Sequence, residues 1–197
     1  IGFYLFFAGL DYHKLREWAW ILYTVTLLLL LGLFFTDPIQ NVHRWYRIPF
    51  IGGTLQPSEF TKLSLVLTLS WFLEKKGRSV GEWISCIQAS IIAIVPFLLV
   101  LKQPDLGSAF VLFPMTFGMF YFGGIHKTVI KILSGIGVFS LICISLIFTG
   151  IVSHEKIQPF ATKILKEYQY ERFNPETYHH EAAKTAIAVG GYKGSGW

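Results

Sequence analysis

Charge is what this sequence has least of. Asp, Glu, Lys and Arg together make up 15% of its 197 residues, against about 25% in an ordinary globular domain, which excludes a soluble fold with a normal water-facing surface. Cysteine is nearly missing too. Cys86 and Cys143 both fall in or beside apolar runs, offer neither a disulfide framework nor a metal-ligand spacing, and read as packing residues. Strand-type alternation is missing and the apolar runs are too long for barrel strands, which excludes a transmembrane β-barrel. Neither the dinucleotide-binding glycine pattern nor the P-loop spacing occurs, and that argues against nucleotide binding by the Gly-rich stretch GGYKGSGW. The opening stretch IGFYLFFAGL lacks the basic region and small-residue cleavage site of a signal peptide. Beginning at Ile1 inside an apolar run and stopping at Trp197, the chain reads as a segment of a longer protein.

What is present is apolar surface. Hydrophobic residues reach 53%, with 18 Phe, and they recur in runs about long enough to cross a bilayer core of roughly 30 Å. After the apolar run at 1–10, five spans are expected at 17–36, 57–73, 84–101, 106–122 and 128–150. Helices satisfy every buried peptide group within the segment, so the expected fold is an all-α, polytopic transmembrane helical bundle over 1–150. A long extramembrane loop follows over 151–197. Pro96, Gly135 and Gly137 are tolerable inside such helices and mark kinks or close packing.

Connectors must alternate sides. DYHKLRE, EKKGRSVGEW and GGIHK share one face and carry Lys14, Arg16, Lys75, Lys76, Arg78 and Lys127. The loop at 37–56, the turn at Lys102 and the tail from Ile151 share the other, with Arg44, Arg47 and Lys102 in its short connectors. The positive-inside rule makes the first face cytoplasmic. The net charge of +5 is therefore read as topology, and no nucleic-acid partner is expected.

The outer face then collects the polar residues. Gln56-Pro57 and Gln103-Pro104 each begin an inward-going helix, with an acid, Glu59 or Asp105, just after the Pro, where the helix dipole favours negative charge. Glu59 and Lys62 share a helix face and can pair; the pair is either a site element or an ion pair that orients the helix. Asp105, near Lys102, is either part of a site or the cap of a solvated turn. Arg44, Trp45 and Arg47 form either an interfacial belt or, with Glu59, Lys62 and Asp105, a polar cleft. His43 has no ligand set around it and reads as a surface residue. In the tail, Ala182, Ala183, Ala186 and Ile187 predict a short surface helix that stops at Gly190-Gly191, and Arg172 is either a bidentate clamp for an anion or a solvated loop residue.

In their order and membrane positions, RW at 44–45, QPSEFTKL at 56–63, QPDLGSA at 103–109 and the run from Arg172 through YHHEAAKTAIAVGGYKGSGW resemble the SEDS family of RodA, FtsW and SpoVE proteins. The GSGW ending is more similar to the RodA branch, which serves elongation, than to the FtsW branch, which serves division. The resemblance implies about ten transmembrane helices, of which this chain would carry about six. It also implies a bacterial cytoplasmic-membrane glycosyltransferase that polymerises lipid II at the outer face with a class B penicillin-binding protein as partner. Arg44, Trp45, Gln56, Glu59, Lys62, Asp105, Arg172 and Lys184 become the candidate substrate-binding or site-supporting residues, with Arg172 and Lys62 as anion stabilisers. A divalent cation, Mg or Mn, is implied by the resemblance alone.

Two departures qualify it. Ala182-Ala183 stands where many RodA proteins have Gln-Ser, and the family's presumed catalytic Asp would lie beyond Trp197, so the segment alone is expected to be inactive. Two other function classes use the same features: a lipid II flippase or transporter with a charged cavity, and a membrane scaffold that recruits the penicillin-binding protein.

Overall fold

A computed structural model describes residues 16–37, 42–48, 53–148, 178–192 and 194. The apolar run at 1–10 and Arg172 lie outside them. The chain divides into two compact units, Ile1–Leu133 and Ser134–Trp197.

In the first unit, α1 (Ala19–Gly32) continues as a short 3-10 turn, Leu33–Phe35. A two-stranded antiparallel sheet follows, β1 (Tyr46–Ile48) against β2 (Gly53–Leu55). Then come α2 (Pro57–Lys76), α3 (Trp83–Lys102) and α4 (Leu106–Gly123), and α5 (Lys127–Phe148) begins beside them. The sheet lies inside the connector expected at 37–56, where the sequence pattern predicts no strands. Three residues per strand are too few to display the alternation that sequence reading needs.

Helices α3, α4 and the Lys127–Leu146 part of α5 are long and apolar enough to cross a membrane. The expected span at 17–36 forms a shorter apolar helix. The span at 57–73 forms a 20-residue helix, about 30 Å long, whose composition is too polar for that class. Its polarity faces inward: Ser58, Thr61, Ser64 and Thr68 are buried, while Phe60 and Leu63 are exposed. Small hydroxyl residues let backbones approach closely, which suits a helix packed against α1, α3 and α4 at once. Thr61 and Ser64 return their hydroxyls to Pro57 and Thr61 carbonyls of their own helix, and Thr68 donates across to the Ala19 carbonyl at 3.0 Å.

Pro96 lies inside α3 and has no N–H for the Ile92 carbonyl one turn back. The Tyr23 hydroxyl of α1 supplies the missing donor at 2.8 Å. The buried face of α3 is otherwise lined by Ser85, Cys86, Ala89, Ala93 and Val100. Cys86 is a free, buried packing residue and Cys143 is free and half-buried.

Helix ends sort into two groups. Arg16 pairs with Glu74 at 3.1 Å, joining the start of α1 to the end of α2, and Trp83 at the start of α3 stacks on His126 after α4, ring centroids 4.6 Å apart. At the opposite end Gln103 reaches the Leu30 carbonyl at 2.8 Å, joining the ends of α1 and α3. The helices therefore alternate in direction, as the connector count requires, and the outcome is a partial all-α membrane bundle.

In the second unit, a Cβ at Gly135 would meet nothing within 4 Å, so no close packing explains this glycine among the described residues. Helix α6 (Tyr178–Gly190) is the expected tail helix, and Gly191, at φ +49°, ends it. Ala182, Ala183, Ala186 and Ile187 are all exposed.

Candidate functional site

At the end of the bundle opposite Arg16 and Lys75, the first unit buries a connected polar cluster, and the two Gln-Pro motifs enter it by different routes. Gln56 has extended backbone and is the N-cap of α2, with Pro57 in the first helical turn, as expected. Gln103 instead caps the C-terminus of α3, and α4 starts at Leu106 with Asp105 as N-cap. The second Gln-Pro therefore closes one helix rather than opening the next. Asp-x-x-Ser is the signal that sets this boundary: the Asp105 carboxylate accepts from the Ser108 amide at 3.3 Å.

The strand register places Trp45. Tyr46 opposes Leu55, so one further step puts Trp45 against Gln56, and the indole donates to Gln56 Oε1 at 3.2 Å. Gln56 Nε2 has two hydrogens and uses both, donating to Asp105 Oδ2 and to Ser58 Oγ at 2.9 Å each. Ser58 Oγ donates to Asp105 Oδ2 at 3.0 Å and accepts from Ser108 Oγ at 3.3 Å. Each hydroxyl hydrogen thus has one acceptor, and the network closes without a conflict of donors.

Arg44 is buried beside this network. Its Nε donates to the Gln103 carbonyl at 3.2 Å and its Nη2 to the Pro104 carbonyl. A guanidinium fork suits two adjacent carbonyls at a helix C-terminus, where the dipole also favours a cation. Its charge reaches Asp105, and its Cζ lies 5.9 Å from the Trp45 ring centre. Burial pushes the Asp105 carboxyl up, but hydrogen bonds from Ser108 and Ser58 and the Arg44 charge outweigh it, so Asp105 is held below its ordinary value. Asp105 is buried and is not the cap of a solvated turn, and Lys102 is exposed.

Within the first unit, Glu59 and Lys62 are separate from this cluster. Lys62 and Glu59 pair at 2.8 Å on a part of α2 where Glu59 is 57% exposed, and the bonds described for either carboxylate or ammonium do not reach Asp105. Lys184 pairs with Glu181 at 2.7 Å on the exposed surface of α6 in the second unit. His43, read as a surface residue, is half-buried with Nδ1 2.9 Å from the Thr36 carbonyl. Ser58, Ser108 and Gln103 were not selected by sequence reasoning. All three lie inside the QPSEF and QPDLGSA motifs, so the signal was present in the motifs.

A carboxylate already holding three donors beside a guanidinium is a weak base and a strong positioning element. Among the described residues no group of three His, Cys, Asp or Glu side chains comes together to hold a metal ion. Both Asp105 oxygens are already engaged. The described residues therefore do not make a cation cage.

A family model described as Cell cycle protein, covering FtsW, RodA and SpoVE, matches residues 1–197. The peptidoglycan glycosyltransferase MrdB of Helicobacter pylori strain J99 is 29% identical over 98% of this chain and 49% of its own length. The peptidoglycan glycosyltransferase RodA of Treponema pallidum is 27% identical over 94% of this chain and 42% of its own. A chain of a solved structure, reported as structural coordination of polymerization and crosslinking by a peptidoglycan synthase complex, superposes with a TM-score of 0.62 at 26% identity. The match covers 93% of this chain and 52% of that one. The chain spans about half the length of the curated relatives it matches.

Proposed function

Because the chain belongs to the FtsW/RodA/SpoVE family of cell cycle proteins, we propose that the protein is a peptidoglycan glycosyltransferase of the bacterial cytoplasmic membrane. It polymerises lipid II at the outer face and works with a class B penicillin-binding protein, in elongation on the RodA side of the family. The observation that carries this reading is the family match along the whole chain, with relatives named for that activity.

In this reaction a sugar hydroxyl attacks an anomeric carbon whose leaving group is a lipid-linked pyrophosphate, so the site needs a base and an anion clamp. Asp105 supplies neither directly. Its role is to lock the outer ends of α2 and α4, and through Gln56 and Trp45 the sheet, into one rigid rim. Arg172 and Lys62 are the proposed anion stabilisers. Lys184 supports the site in the reading taken from the family motif, and Glu59 holds Lys62 in place at 2.8 Å. A divalent cation, Mg or Mn, stays in the proposal as a companion of the pyrophosphate. No step is assigned to it.

The test is lipid II polymerisation by the full-length protein purified with its penicillin-binding partner, the partner's transpeptidase blocked. Long glycan strands that disappear in Arg172→Ala and Asp105→Ala are expected. Absence of strands from well-folded wild type, beside a working control, would reject the polymerase in favour of transport or scaffolding.

A further inference from the structure

At the end of the bundle away from Asp105, a groove of about 630 Å³ opens between α1, α2 and α3. Trp20, Trp71 and Phe72 wall it, Ile91 and Ile92 form its apolar floor, and Lys75, Lys76 and Gln88 stand at it. Trp20 and Trp71 meet edge to face, ring centroids 5.8 Å apart. Lys75 Nζ lies 4.6 Å from the Trp71 ring centre and Lys76 Nζ 5.5 Å from that of Phe72. Neither ammonium has a carboxylate partner among the described residues. Glu74, the nearest acid in sequence, is engaged by Arg16 at 3.1 Å.

We propose that this groove binds an anionic phospholipid of the leaflet on the Lys75 side, headgroup phosphate on Lys75 and Lys76 and acyl chain along Ile91. Four observations fit one occupant. The volume is in the range of small-molecule sites, roughly 300–1,000 Å³. Trp18, Trp20, Trp71 and Trp83 gather at the same end of the helices, the depth at which indoles mark the headgroup level. The two ammonium groups are poised at rings rather than at acids. The floor is apolar and one side of it faces hydrocarbon: Ile92 is buried, Ile91 is 55% exposed, and Ile84 and Ile87 on the same helix are exposed too.

Helix-dipole complementarity and the positive-inside rule would account for lysines at the end of α2. They do not account for an apolar channel with an indole wall directly beneath them. The inference does not depend on the glycosyltransferase reading, because the groove is at the other end of the helices from the Asp105 cluster.

The experiment is native mass spectrometry of the full-length protein in mild detergent with phosphatidylglycerol, against phosphatidylcholine as the neutral probe. Wild type should retain phosphatidylglycerol selectively, and inorganic phosphate should not displace it. Lys75→Gln with Lys76→Gln should weaken retention about thirtyfold, from about a fivefold loss per lysine near an anionic surface. Ile91→Trp keeps both charges but fills the floor, and should also abolish retention. Lys127→Gln with Lys131→Gln removes the same charge beside a different cavity and should leave it unchanged.

Retention that survives Lys75→Gln with Lys76→Gln overturns the proposal, as does equal loss in the Lys127 and Lys131 variant, which would mean general surface charge. Displacement by phosphate alone would reduce the site to a simple anion contact, and survival in Ile91→Trp would remove the acyl chain from the groove.

Discussion

The Tyr23 hydroxyl sits 2.8 Å from the carbonyl oxygen of Ile92, the carbonyl that Pro96 leaves without its helical donor. A proline inside a membrane helix exposes one acceptor in a medium with no water to satisfy it. A tyrosine from the neighbouring helix resolves that deficit and in doing so ties α1 to α3.

Tyr23→Phe is therefore expected to destabilise the protein by about 1–2 kcal/mol, the cost of an unsatisfied buried carbonyl. Pro96→Ala restores an N–H to Ile92, and in that background Tyr23→Phe should cost less. Reversible unfolding in mixed micelles measures the cycle. An equal cost in both backgrounds would mean that the tyrosine does not serve the proline.

Asp105 gives a pH dependence with a definite sign. Its folded value is depressed below the ordinary 3.8, so between the two values the unfolded chain binds more protons and stability rises with pH. The carboxylate's contribution is complete above its ordinary value and disappears as pH falls through the folded one. Thermal unfolding of wild type and Asp105→Asn should show a constant gap near neutrality that closes in acid. A gap that widens in acid would contradict the hydrogen-bond and charge environment described for Asp105.

Gly32 is required by a side chain. A Cβ at this position would lie 2.5 Å from the Tyr46 hydroxyl oxygen but 3.7 Å from its ring carbon, and that hydroxyl donates to the Leu29 carbonyl at 2.7 Å. Gly32→Ala should cost about 1–3 kcal/mol through overpacking. Tyr46→Phe removes the clashing atom, so the double variant should be more stable than Gly32→Ala alone, as read by unfolding in micelles.

Exchange of Glu59 and Lys62 separates two roles for that pair. Either single reversal, Glu59→Lys or Lys62→Glu, places like charges together and should reduce polymerisation. The swapped double variant restores the 2.8 Å pair in reverse. Recovery of glycan synthesis in the swap would assign the pair to helix orientation, whereas continued loss would assign Lys62 to the substrate anion. The expected outcome under the proposed function is continued loss, with stability within about 0.5 kcal/mol of wild type.

How much was legible in advance differs by residue. Trp45 and Gln56 could be named as neighbours of a site because they flank one connector, but their bond depends on a strand register that three-residue strands do not announce. Gln103 was read as a helix start because Pro follows it. Its backbone N–H bonds back to the Leu99 and Val100 carbonyls, so it ends α3 instead, and its side chain reaches the Leu30 carbonyl at the end of another helix. Pro96 was visible as a helix irregularity, while the residue that compensates it, Tyr23, is 69 positions away and carries no local signal.

Composition and spacing by themselves determined that this is a helical membrane chain, how its connectors alternate, and which motifs carry the family likeness. These follow from local quantities, the length of an apolar run and the chemistry of a few consecutive residues. Only the tertiary structure decided that the serines and threonines of α2 face inward, that Asp105 is a buried, fully engaged carboxylate, and that Glu59 and Lys62 stand apart from it. The physical reason is that a side chain's protonation and partners depend on which helix ends meet in space. Helix packing determines those meetings, and no periodicity along a single segment encodes them.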